Sequence, residues 1–319
     1  MHRIPVGVLG ASGYAGRELC SLITRHPNFQ LAFATANERR GEVARLGGAD
    51  VRFVATDDAP LTDAELVFSA LPHGASATWI ERARNAGARA IDLSSDLRPG
   101  HGATNVPYGL TELARSQLHD AMVVANPGCY PTAILMALMP LAMRGLIVPG
   151  STVNASAASG VTGAGLTART DLLFGEVTED FRAYGIANSH RHLAEMRSML
   201  DASGADADLI FTPHLLPVAR GILATITVPV TETLADPLAP WRDAFAGEPF
   251  VEITPEPPSL RDVVRRNVVR ISARYVAGVR QPTLLVLSAI DNLVKGAAGQ
   301  AVQNANVVFG LAEPAGLPA

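Results

Sequence analysis

The chain has only two cysteines, and one of them stands where a thiol becomes reactive. Cys129 lies in the run Val124-Ala125-Asn126-Pro127-Gly128-Cys129-Tyr130-Pro131-Thr132. Met122 to Ala125 reads as a buried strand, and Thr132 to Met143 carries a helical apolar pattern. Pro131 suits a helix first turn, where its missing N–H has no intrahelical partner to lose. Cys129 is therefore expected at or just before a helix N-terminus. Unpaired N–H groups and the positive end of the helix dipole favour a thiolate there, poised to attack a carbonyl or acyl carbon. On position alone, a small buried core cysteine is an equal reading. A second cluster, His190-Arg191-His192-Leu193-Ala194-Glu195, follows roughly sixty residues later, so it meets Cys129 only through tertiary folding. His192 and Glu195 stand at i, i+3 on one helix face, which lets the carboxylate orient the imidazole.

A cofactor turn opens the chain. The apolar strand Ile4 to Leu9 runs into Gly10-Ala11-Ser12-Gly13-Tyr14-Ala15-Gly16, and an amphipathic helix follows to about His26. The glycines at 7, 10, 13 and 16 depart from strict G-x-G-x-x-G spacing, but strand, glycine turn and helix come in the order that presents backbone N–H groups to a pyrophosphate. Gly10, Ser12, Gly13, Tyr14 and Ala15 are the expected contacts. A second strand, Gln30 to Ala36, ends near the position where an acidic residue holds the ribose of NAD. Here the sequence offers Glu38-Arg39-Arg40; the two arginines suit a 2′-phosphate and favour NADP, while Glu38 keeps NAD open. Strands at Ala64 to Ala70 and Arg89 to Leu93 follow, the first ending at Pro72, where a cofactor would cross the sheet edge. This alternation predicts a Rossmann-type doubly wound parallel sheet with ligands at the strand C-termini.

The elements change in the second half. Ser151–Ala157, Leu209–Thr212, Gly221–Val230, Phe250–Thr254, Val268–Val276 and Leu284–Ile290 read as strands, several alternating and joined by Pro- or Gly-containing turns. They predict an α+β domain with a mostly antiparallel sheet, helices near Ala235–Ala246 and His192–Ala202, and a final helix carrying Leu293, Ala297, Ala301, Ala305 and Phe309 at spacing four.

Length argues for two domains, and 48% hydrophobic with 18% charged residues is ample for a large core. A net charge of −4 gives no global basic field for nucleic acid. Two cysteines make no disulfide framework and show no zinc-type spacing, so no metal is expected. No apolar run is long enough for a bilayer, and Met1-His2-Arg3 leads directly into the first strand, so a cytoplasmic protein without signal peptide is expected.

These stretches, in this order, resemble the N-acetyl-γ-glutamyl-phosphate reductases of the aspartate-semialdehyde-dehydrogenase-like superfamily. The resemblance is carried by Gly7–Gly16, Asp92-Leu93-Ser94-Ser95-Asp96-Leu97-Arg98, Tyr108-Gly109-Leu110, Ala125–Thr132 and Gly160-Val161-Thr162-Gly163-Ala164-Gly165. It continues through His190-Arg191-His192, Thr212–Pro217 with Arg220-Gly221, and Asp291–Gln300, and so spans nearly the whole chain. Thr162, where the family often has serine, is one departure; the loop Thr167 to Ala187, expected to shape the substrate pocket, is another. The resemblance implies NADPH-dependent reduction of an acyl phosphate to a semialdehyde through a cysteine thioester, a step of arginine biosynthesis. It implies Cys129 as nucleophile, His192 or His190 as base with Glu195 behind it, and the Cys129 N–H and Asn126 amide as oxyanion donors. Arg98, Arg191 and Arg220, with Tyr108, are then expected at the substrate, and Gly163, Asn292 and Lys295 at the cofactor. It also implies a Rossmann domain of residues 1–128 with 292–319, a catalytic and oligomerisation domain of 129–291, and a homodimer or homotetramer. Related substrates are aspartyl phosphate, which the histidine motif disfavours, or a carrier-linked glutamyl or aminoadipyl phosphate. An inactive nucleotide-sensing regulator would lack the nucleophile or base, and both are present.

Overall fold

The computed structural model describes residues 3–319; Met1 and His2 lie outside the described residues. Two compact units form. One comprises residues up to Gly128 together with Ala297–Ala319, and the other Cys129–Gly296.

In the first unit, β1 (Ile4–Leu9) leads through the glycine turn into α1 (Tyr14–Arg25), then β2 (Phe29–Thr35). A hairpin, β3 (Val43–Leu46) and β4 (Ala49–Val54), precedes β5 (Leu66–Ser69), α2 (Ser76–Asn85), β6 (Arg89–Asp92), α3 (Thr111–Leu118) and β7 (Val123–Ala125). The sheet order is β3-β4-β2-β1-β5-β6-β7, parallel throughout except for the β3–β4 pair. It is the doubly wound sheet that the alternation predicts. The hairpin was not expected. Its turn is Gly47-Gly48, both at positive φ (58° and 93°), a backbone that favours glycine and fits a two-residue hairpin connection. The strand chain reverses after β1 toward β2 on one side and β5 on the other. Loops 10–13, 36–40, 71–74 and 93–98 therefore gather at the carboxyl edge, where such sheets bind ligands.

The second unit begins with α4 (Cys129–Ala142), three residues earlier than the apolar pattern indicates. Every residue from Tyr130 to Ala142 is buried, which accounts for its being apolar on all sides. Pro140 interrupts its hydrogen bonding, and in the same turn Trp241 Nε1 donates to Ala137 O at 3.0 Å. After α4 come β8 (Ser151–Gly160), a short α5 (Phe174–Val177), β9 (Arg182–Ala183), α6 (Leu193–Ala202), β10 (Ala207–Leu216), β11 (Ile222–Pro229), α7 (Ala239–Ala244), β12 (Val251–Ile253), β13 (Val269–Tyr275) and β14 (Thr283–Ile290). The sheet order is β12-β13-β14-β11-β8-β10-β9, antiparallel except for the β8–β10 and β12–β13 pairs.

The final segment is not one continuous helix. A π-helical turn, Val294–Ala298, precedes α8 (Gly299–Val308), which packs in the first unit against α1, α3 and β6. Small residues at 296–299 leave the apolar spacing unbroken, so periodicity alone does not reveal the change of helix type.

Candidate active site

Cys129 is the first residue of α4 and is half-buried. A Cβ at Gly296 would stand 2.8 Å from Cys129 Cβ, so a glycine is required behind the thiol. The cysteine opens on a cleft of the second unit that also holds Tyr130, Tyr184, His190, Arg191 and His192, with Ser159, Gly163 and Leu215 in its walls. The histidine motif thus lines the same cleft as the cysteine, across the sequence gap that separates them.

The two imidazoles are distinct. Their ring centroids are 4.8 Å apart in an edge-on arrangement, and the His192 backbone N–H donates to His190 Nδ1 at 3.2 Å. His190 Nδ1 is therefore the acceptor, and in the neutral ring Nε2 carries the proton. Burial, reinforced by the Arg191 charge, pushes the His190 pKa down to about 4, so this ring is neutral at physiological pH. His192 is the N-cap residue of α6 and is 5% exposed; its Nε2 lies 3.9 Å from Glu195 Oε1, and Glu195 is fully buried. Such a carboxylate stabilises an imidazolium across ion-pair distance. Two phenols face the rings. Tyr130 and Tyr184 share a hydroxyl–hydroxyl hydrogen bond of 2.9 Å, and burial, with the neighbouring Cys129 charge, raises both, Tyr184 up to about 12. Both remain neutral.

The loop 167–187 supplies much of the cleft that sequence reading left undefined: Arg169, Asp171, Leu172, Arg182 and Tyr184. Arg169 pairs with Asp171 at 2.7 Å and Arg182 with Asp180. Arg191 is exposed, lines the same cleft and has no acidic partner among the described residues. No local periodicity marks Tyr130 or Tyr184; their signal is only their proximity in sequence to Cys129 and to the histidine motif.

Several expected site residues are committed elsewhere. Arg98 is 3% exposed, with Nε donating to Asn126 O (2.8 Å) and a terminal nitrogen to Leu93 O (2.7 Å), so it braces backbone rather than presenting an open cation to substrate. Asn126, expected as an oxyanion donor, is 1% exposed and held on both ends of its amide by Asn304 (3.0 Å) and Ala297 O (3.3 Å). Arg220 faces Asp291 at 3.6 Å. Tyr108 is buried and bridges to Ala125 in the first unit. Asn292, expected at the cofactor, accepts from the Gly221 N–H (2.7 Å) and donates to Thr162 Oγ1 (2.9 Å), tying β14's end to two turns. Lys295 is fully buried, its Nζ 5.7 Å from the Phe250 ring centroid.

The glycine turn suits a dinucleotide. Gly10 has φ +76° and its N–H donates to Thr35 Oγ1 (3.1 Å). A Cβ on Gly16 would lie 2.2 Å from Gly10 O, so helix and turn approach as closely as backbone permits. Gly13 caps α1 without any side-chain cap bond, and Ser12, Tyr14 and Ala15 are half-buried around it, leaving the first-turn amides to an anion. Beyond β2, Arg39 pairs with Glu42 at 2.8 Å and stacks over Phe53, while Arg40 is exposed. Pro72 is exposed in the loop after β5, where Asp96 caps α2. Burial opposes ionisation of Asp96, but N–H donation from Gly74, Ala77 and Ser76 outweighs it and holds the carboxyl below its usual range.

A nucleotide-type sheet in one unit and a cleft lined by Cys129, His190 and His192 in the other fit a two-unit, nucleotide-dependent dehydrogenase. Residues 5–121 match the family described as semialdehyde dehydrogenase, NAD binding domain, and residues 129–292 match semialdehyde dehydrogenase, dimerisation domain. The chain belongs to the semialdehyde dehydrogenase family. Its full-length similarity is to proteins named N-acetyl-gamma-glutamyl-phosphate reductase: that of Laribacter hongkongensis is 40% identical and that of Halorhodospira halophila 41%, each over 98% of both chains. In fold it is similar to aspartate semialdehyde dehydrogenase II of Vibrio cholerae (TM-score 0.79, 19% identity, 97% of this chain and 99% of that one). It also resembles the aspartate semialdehyde dehydrogenase of Candida albicans (TM-score 0.71, 15% identity, 96% and 98%). Among the described residues no helix is long and apolar enough to cross a membrane.

Proposed function

We propose that the protein reduces N-acetyl-γ-glutamyl phosphate to N-acetylglutamate 5-semialdehyde and phosphate, using NADPH. The observation that carries this reading is the cleft holding Cys129 with His190, Arg191 and His192, in a chain similar over its whole length to reductases of that name. Cys129 loses its proton to His192 and the thiolate attacks the acyl carbon; phosphate leaves and a thioester remains. His192 is the better base because His190, at about 4, is too weakly basic at neutral pH, and because Glu195 stabilises the imidazolium that forms. Bound NADPH supplies the hydride that reduces the thioester. The first turn of α4 favours the developing oxyanion, and His192 returns its proton to that oxygen; on collapse the hydroxyl gives this proton back to His192 as the C–S bond breaks, releasing the aldehyde and the Cys129 thiolate. Arg191 is the cation for substrate anions, and the neutral pair Tyr130–Tyr184 contributes hydroxyl donors. The glycine turn holds the pyrophosphate, with Arg39 and Arg40 at the 2′-phosphate.

The same reading includes a homodimer. Leu166, Leu173, Phe174, Phe181 and Ile186 are all exposed on the segment that walls the cleft, within the stretch matching the dimerisation domain. The test is phosphate-dependent reduction of NADP by purified protein with a panel of semialdehydes. N-acetylglutamate semialdehyde should be used in preference to aspartate semialdehyde and to carrier-linked analogues; preference for either of those overturns the substrate assignment.

A further inference from the structure

Every polar group of Asn126 has a partner within the first unit. Its N–H donates to Asp92 O (2.8 Å), its carbonyl accepts from Arg98 (2.8 Å), and its Oδ1 accepts from Asn304 Nδ2 (3.0 Å). Its Nδ2 reaches Ala297 O (3.3 Å) and Pro127 O (3.4 Å). Cys129 follows three residues later in the chain.

The orientation of the Asn304 amide is set in turn by its neighbours. Gly109 O can only accept, and both Asn304 Nδ2 and Gln300 Nε2 donate to it at 3.0 Å. Gln300 Nε2 also donates to the Thr111 hydroxyl (2.5 Å), whose own proton goes to Asn304 Oδ1 (2.7 Å). A flipped Asn304 would set its oxygen against the Gly109 carbonyl and Asn126 Oδ1. Thr111, Gln300 and Asn304 are all fully buried, so no solvent relieves the mismatch. Tyr108-Gly109-Leu110 and the amides of α8 thereby acquire a joint purpose: a Cβ on Gly109 would lie 2.3 Å from Asn304 Nδ2.

We propose that Asn304, with its amide direction fixed by Thr111 and Gln300, is a positioning residue for the nucleophile. It locks Asn126, and through the covalent segment Asn126-Pro127-Gly128 it fixes the backbone that carries Cys129. The proposal rests on Cys129 being the nucleophile, as proposed above.

The experiment is a double-mutant cycle of Asn304→Ala and Asn126→Ala, read in kcat, KM, thermal midpoint and the rate of iodoacetamide alkylation. Alkylation reports Cys129 alone, because Cys20 is buried with its thiol pushed up to about 12. Misplacing a reacting group by about 1 Å can cost on the order of a hundredfold. Asn304→Ala is expected to lower kcat by ~10–100-fold with substrate KM within about twofold, and to change the alkylation rate; in the Asn126→Ala background it should add no further loss in kcat. Thr111→Val, which keeps the shape and removes only the hydroxyl, should reproduce part of the kcat loss, and it carries the test if Asn304→Ala does not fold. Equal losses in both backgrounds, or a lowered thermal midpoint with wild-type kcat and alkylation, overturn the proposal. Retained turnover in Cys129→Ser would sink the nucleophile assignment instead, while leaving the alkylation comparison intact.

Discussion

At the residue scale, Cys129→Ser is expected to lose nearly all turnover while binding NADPH with unchanged affinity in a fluorescence titration. Cys20→Ala should stay active, since that thiol is buried in α1 and held protonated. Cysteine at a strand-to-helix junction and the His-Arg-His run are visible because their chemistry is local to a short string. Arg98 is expected at the substrate because the family resemblance and the substrate's anions call for a cation there. Its acceptors are backbone carbonyls, one of them on Asn126, 28 positions away, and carbonyls have no sequence signature. Asn292 is expected at the cofactor, and its partner in the fold, an N–H 71 positions distant, has no sequence signature either. His190 gives a pH prediction. Its folded pKa, about 4, is below the ordinary 6.5, so between those values the unfolded chain binds the proton better and stability rises with pH. The His190 contribution is fully present above pH 6.5 and is lost progressively as pH falls toward 4. His190→Gln should therefore show a shallower fall of thermal midpoint from pH 7 to pH 4.5 than wild type; parallel curves would refute the assignment.

At the level of elements, the β-α alternation and the second-unit strands were readable from period and turn residues, with edges moved by a few residues. The β3–β4 hairpin carries a two-residue turn signal, Gly47-Gly48, but its strands are short and interrupted by charged residues, so the sequence pattern does not predict it. The start of α4 was placed late because Cys129 and Tyr130 were read as junction rather than helix. Three tests belong here. Gly16→Ala drives a methyl against Gly10 O, a backbone atom that cannot swing aside; NADPH binding should weaken and stability fall by roughly 1–3 kcal/mol, measured by titration and denaturant unfolding. Changing both Arg39 and Arg40 to Ala should raise KM for NADPH about tenfold to a hundredfold and leave that for NADH nearly unchanged, because a charge-assisted contact is worth ~1.5–3 kcal/mol and only one cofactor has the 2′-phosphate. Trp241→Phe removes the buried indole donor to Ala137 O, and urea unfolding should register a loss of about 1 kcal/mol with activity per folded molecule preserved.

On the scale of the whole molecule, the apolar side chains on 166–186 are what the proposed dimer would cover. Phe174, 84% exposed, is the most open of them, and Phe174→Glu should shift the mass seen by light scattering to that of a single chain. An unchanged mass would locate the interface elsewhere. The division of the chain has a further consequence. The sheet of the first unit is made by residues before 126, but α8, which packs on α1, α3 and β6, is made by residues 299–308. During synthesis at ~5–20 residues per second, the unit that emerges first therefore waits on the order of ten seconds or more for its last helix. Through that interval the core that α1 and the sheet share with Ala301, Val302 and Ala305 of α8 is incomplete. The second unit, whose residues run without interruption, has its full complement of strands before the first can close. The order of completion is thus the reverse of the order of translation.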